Sequence, residues 1–126
     1  MTQCHTPGQL QDSLRHILAK TGPQEAGLLQ WRTAWTTCGY PEDSTYVDAT
    51  LQLGLVYLNQ SDFQIAVQLS NKVLSLYRRP SPQLRRSDVA KAYYRQGVAF
   101  HYLEEEDQKM KVLRKALRAA DQSPEG

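Results

Sequence analysis

Lys91 and Arg95 stand four residues apart in the stretch Lys-Ala-Tyr-Tyr-Arg. In a helix that spacing places both on one face, where two cations can meet a single carboxylate. It also describes an ordinary solvated helix face, and the residues alone leave both readings open. Arg78, Arg79, Arg85 and Arg86 precede the pair, so six positive charges fall within a short stretch in which Asp88 is the one acid. Such a local excess attracts phosphate or an acidic peptide. Tyr77, Tyr93 and Tyr94 could stack bases. No nucleic-acid module accompanies them, however, so an acidic protein segment fits the cluster better than nucleic acid.

Other chemistry has less support. His5, His16 and His101 are scattered, and Cys4-His5 is followed by no second ligand pair, so no metal is expected. There is no glycine-rich phosphate loop, no nucleophile elbow and no His-Glu-x-x-His. The expectation is a non-enzyme without a cofactor. Fifteen basic residues against 13 acidic ones, a net charge of +2, are too balanced for overall charge to imply nucleic-acid binding. Two cysteines and an amino terminus without a basic-then-apolar segment favour a reducing cytoplasmic setting, with a nuclear one as the variant. No apolar run approaches the roughly 20 residues that cross a bilayer, so no membrane association is expected.

The elements that must position these residues are helical. The 126 residues suffice for one domain, and a 40% hydrophobic fraction suffices for its core. Residues 1–8 form a disordered start in which Thr6-Pro7-Gly8 is a turn. Apolar residues then recur at helical spacing over 9–20 (Leu10, Leu14, Ile17, Leu18) and 24–37 (Leu28, Trp31, Ala34, Trp35), with Pro23 opening the second helix. Gly39-Tyr40-Pro41 stops that helix, and Asp43-Ser44 caps a third beginning near Thr45. This third helix is apolar almost all round and is therefore buried on more than one side. Ser61-Asp62-Phe63-Gln64 has the form of a capping box for a fourth helix running to about Tyr77. A loop at 80–86 follows. Ser87 and Asp88 cap the fifth helix, and Glu104 to Asp107 precede a sixth striped by Met110, Leu113, Ala116, Leu117 and Ala120, before a tail at 121–126.

Gly97 is costly inside a helix, by about 1 kcal/mol relative to alanine, and implies a neighbouring helix too close to admit a side chain. Gly54 stands 43 residues earlier, and the same shift brings Leu58 onto His101, Val73 onto Ala116 and Leu74 onto Leu117. A period of that size marks helical repeats. Leu53, Gly54, Tyr57, Phe63, Ala66, Val73 and Leu74 in one segment, and Tyr93, Gly97, Phe100, Leu113, Ala116 and Leu117 in the other, resemble the tetratricopeptide repeat. Thr50, Ser70 and Lys109 depart from its pattern. The resemblance covers residues 47–120 and implies an all-α, right-handed solenoid of six helices in three antiparallel hairpins. Residues 9–38 form a degenerate hairpin, and 45–78 and 88–120 form repeats within one domain over 9–120.

The last repeat is closest to those of immunophilin-type co-chaperones, which grip the terminal carboxylate of a chaperone tail. That likeness implies a peptide groove holding Gln52, Lys91 and Arg95, with Arg85 and Arg86 at its rim. Gln52 stands where the family has an asparagine, and the first hairpin lacks the expected lysine-asparagine pair, so at most part of the clamp is present. The expected function is that of a protein-binding adaptor or co-chaperone-like scaffold, acting as a monomer or within a hetero-complex. The alternative is a structural subunit docking through its open sixth helix, by Met110, Val112, Leu117 and Ala120.

Overall fold

Thr6 starts the helical part of the chain earlier than the periodicity suggests. Its hydroxyl accepts from the Gln9 backbone N–H, and the Gln9 side chain accepts from the Thr6 N–H. This reciprocal cap, followed by a proline whose missing N–H costs nothing in a first turn, makes 7–8 part of a helix rather than a loose turn. The computed structural model describes residues 4–20, 22, 24–77 and 85–121. Among them are six helices: α1 (Pro7–Ala19), α2 (Glu25–Thr37), α3 (Ser44–Asn59), α4 (Phe63–Tyr77), α5 (Arg86–Tyr102) and α6 (Glu106–Asp121). Each helix packs on the next in sequence, and α3 also touches α5. The expected roles of Pro23, Arg78 and Arg79, and most of the 80–86 loop and the tail, lie outside the described residues.

Helix ends are closed by identifiable groups. Gln24 precedes α2, and its amide donates to the Ile17 and Lys20 carbonyls at the end of α1, the former shared with the Lys20 N–H. Gly39, at φ +77°, takes the left-handed conformation that ends α2. Asp43 caps α3 as its place in the sequence suggests, accepting from the Thr45 and Tyr46 N–H groups. At α5 the cap differs from expectation. Asp88 lies inside the first turn and its carboxylate reaches back to the Arg85 backbone N–H, while Ser87 makes no cap.

Ser61 also departs from its expected role. A capping serine needs extended backbone, yet Ser61 has φ 65°, because the turn leaving α3 requires a left-handed residue there. In that turn the Ser61 N–H donates to the Leu58 carbonyl and the Asp62 N–H to that of Tyr57. Forty-three residues later both of these bonds recur. Glu104, at φ 61°, donates to His101, and Glu105 to Phe100. The sequence period is thus a period of backbone geometry.

The core runs through all six helices. Trp31 and Trp35, buried as their spacing predicts, stack at 5.1 Å, and each indole N–H finds a carbonyl, Leu10 and Pro41 respectively. Val47, Ala49, Leu51 and Leu53 show that α3 is indeed buried on several sides. Gly54 and Gly97 are both buried, but only one crossing is tight. A Cβ on Gly97 would lie 2.8 Å from the Leu113 Cγ, whereas one on Gly54 would meet Leu69 Cβ at an ordinary 3.8 Å. At the register of Leu113 the earlier segment carries Ser70, which leaves room above Gly54.

Cys4 and Cys38 form a disulfide that ties the amino terminus to the end of α2. This replaces the disordered start expected for that residue. It also runs against the reducing setting expected from the cysteine count, since such bonds persist chiefly in oxidising compartments. Among the described residues no helix is long and apolar enough to cross a membrane.

Candidate functional site

A groove of about 850 Å³ runs between the carboxyl-terminal half of α3 and the outer face of α5, closed at one end by the turn into α4. Leu55 and Leu58 form one wall, and Lys91, Arg95, Val98 and Tyr102 the other. The spacing 91, 95, 98, 102 is four, three, four, so these side chains form a single stripe along α5. The groove therefore offers two cations at one end and an aromatic at the other. Tyr102 stacks on Phe63 at 4.9 Å yet stays mostly exposed, as does Tyr94.

Arg95 is the unusual member. Its guanidinium is partly buried and donates to the Leu51 backbone carbonyl on α3. Burial pulls its pKa down from the ordinary arginine value. No carboxylate pairs with it among the described residues. A buried cation without a counter-ion carries a desolvation cost that an incoming anion would offset. Lys91, one turn earlier, is exposed and among the described residues forms no salt bridge, although it lies near enough to Asp48 to draw that carboxyl's pKa down.

The other expected site residues are placed differently. Gln52 stands 43 residues before Arg95 and also reaches back to a preceding element, its amide donating to Gln24 Oε1 at 2.8 Å. It does not line the groove. Arg85 sits at the start of α5 and is held by Asp48 at 2.9 Å and by the buried Asp88 at 3.1 Å. Those two acids hold its pKa above the ordinary value, the Asp88 hydrogen bond most of all. Its charge is therefore committed within the chain. Arg86 is the exposed first residue of α5 and is not among the groove-lining residues. The structure thus brings together Lys91 and Arg95 and leaves Gln52, Arg85 and Arg86 outside. Tyr102 and Val98 were not anticipated, although their spacing from Arg95 was legible.

A second cavity, of about 600 Å³, lies where the disulfide meets α2, with Leu10, Leu29, Ala34 and Cys38 among its lining. Its walls are mainly apolar, and His5 is its one ionisable side chain. Among the described residues no three His, Cys, Asp or Glu side chains converge as metal ligands would. No family model, no curated protein and no solved structure matches the chain.

Proposed function

We propose that this protein is a tetratricopeptide-like adaptor whose helices form three antiparallel hairpins. In this proposal the groove between α3 and α5 holds a segment of a partner protein. The segment carries a carboxylate, received by Arg95 and Lys91, and an apolar or aromatic side chain that lies against Leu55, Val98 and Tyr102. Gln52 acts indirectly by holding α3 to Gln24. Arg85 orients the start of α5 and does not contact the partner. The repeat at 43 residues, seen in both sequence and turn geometry, supports the architecture. The unpaired, partly buried guanidinium of Arg95 is the observation that carries the binding site. A cytoplasmic setting fits such an adaptor, and the Cys4–Cys38 bond is the feature that argues against it.

The test is a calorimetric titration with a short acidic, aliphatic peptide in two forms, one with a free carboxyl terminus and one amidated. Micromolar affinity for the free acid is expected, together with its loss when Lys91→Glu and Arg95→Glu are combined without loss of helix content. Unchanged affinity in that double variant would refute the site.

A further inference from the structure

The last helix pair exposes at its outer face what the preceding pair covers. Leu51 and Leu74 are 6% and 4% exposed, covered in the stack that α5 completes. Their counterparts 43 residues on, Tyr94 and Leu117, are 59% and 66% exposed. Met110 stands at the register of Val67 and is likewise exposed. Exposed apolar residues at these registers are what a helix stacked next in the series would bury. Val112, expected on the docking face, instead points into the core.

The polar residues near them indicate the chemistry of a covering helix. On the covered face, two contacts from α5 join side chain to side chain among the described residues. Gln96 donates to Asn71 of α4, and Arg85 donates to Asp48 of α3. At the same registers the outer face carries Arg114 in place of Asn71 and Lys91 in place of Asp48. Among the described residues neither Arg114 nor Lys91 has an ion-pair partner. An amide and an acid have both become bases, so the complementary groups on the covering helix must be acids.

We infer that the outer face of α5 and α6 docks an amphipathic helix of a partner protein bearing two carboxylates eleven residues apart. Eleven residues are close to three turns, so both acids lie on one stripe, about 16 Å apart, beside the apolar residues that cover Leu117 and Met110. A second copy of the chain does not meet this requirement through the same surface. Pairing α6 with α6 would set Lys111, Arg114 and Arg118 against one another. Lys91 and Tyr94 also line the groove, so the test is set on Arg114 and Leu117, which do not.

The probe is a hydrocarbon-stapled peptide copying residues 85–102 of this chain, the helix that performs the equivalent cover on α4. One form keeps that sequence, and the other carries Arg85→Glu and Gln96→Glu. By fluorescence anisotropy the acidic form should bind at micromolar concentration, and the unaltered form about tenfold or more weakly, the effect of a charged hydrogen bond. Leu117→Asp should abolish binding. Arg114→Gln should remove most of the preference while leaving the groove's affinity for its own acidic peptide unchanged. Both positions are exposed, and circular dichroism checks that each variant is folded. The inference is overturned if the acidic peptide does not bind, if both forms bind equally, or if binding survives Leu117→Asp. Sedimentation showing that the chain alone forms a dimer broken by Leu117→Asp would equally overturn it, in favour of a second copy.

Discussion

The segments Ser44–Asn59 with Phe63–Tyr77 and Arg86–Tyr102 with Glu106–Asp121 share one backbone scheme and fill it differently. Both join their two helices through a left-handed residue, Ser61 or Glu104, with the same pair of closing hydrogen bonds. Both carry a buried glycine at the same register. In the first, Ser70 opposite Gly54 leaves room, while in the second Leu113 fills the space over Gly97. The turn and the register therefore fix the helix pairing, whereas the closeness of the crossing is set by the pair of side chains that meet there. The same contrast holds at the start of each segment, where Asp43 caps from outside the helix and Asp88 from within it.

The two glycines give the sharpest way to break the comparison. Gly97→Ala should lose about 1 to 3 kcal/mol in urea unfolding, because Leu113 must leave its place against the helix. In a Leu113→Ala background that loss should shrink, and a double-mutant cycle would read the coupling. Asp43→Ala should cost about 1 kcal/mol by uncapping α3, and the measurement is again chemical unfolding. Gly54→Ala should have the opposite sign to Gly97→Ala, gaining up to about 1 kcal/mol from helix propensity at a site with room for a methyl group. Ser61→Gly and Glu104→Gly should each raise the melting temperature slightly, by equal amounts, since both relieve the same left-handed backbone.

The smallest effect concerns Asp48, whose register partner is Lys91. Burial pushes the Asp48 carboxyl above its ordinary value, with Arg85 drawing it partly back. A carboxyl raised on folding binds its proton more tightly in the folded state. Its favourable contribution is therefore present below the unfolded pKa and fades as the pH rises through the raised one. Asp48→Asn should flatten that slight fall in melting temperature across the carboxylate range.

Much of the fold was legible because apolar spacing and glycine position are local signals. The stripes of α1 to α6, the Gly39 stop, the Asp43 cap and the 43-residue period all follow from residue type and separation. What failed depended on the shape of a turn. Ser61 matches a capping pattern, yet the end of α3 imposes a conformation in which it cannot cap. Thr6 and Pro7 look like a turn in isolation but become a helix start once Gln9 answers the threonine. At the candidate site, Lys91 and Arg95 were visible from their spacing. That Arg85 would be consumed by Asp48 was not, because the two meet across 37 positions of chain. The disulfide was hidden for the same reason, as nothing near Cys4 or Cys38 shows that the chain closes on itself.

The groove is tested most directly by amide chemical-shift mapping of the labelled protein during titration with the acidic, free-carboxyl peptide. Shifts gathered on Leu55, Lys91, Arg95, Val98 and Tyr102 are the expected result, with α1 and α2 unmoved. Shifts confined to Leu10, Leu29 and Ala34 around the disulfide, or no shifts at saturating peptide, would contradict it.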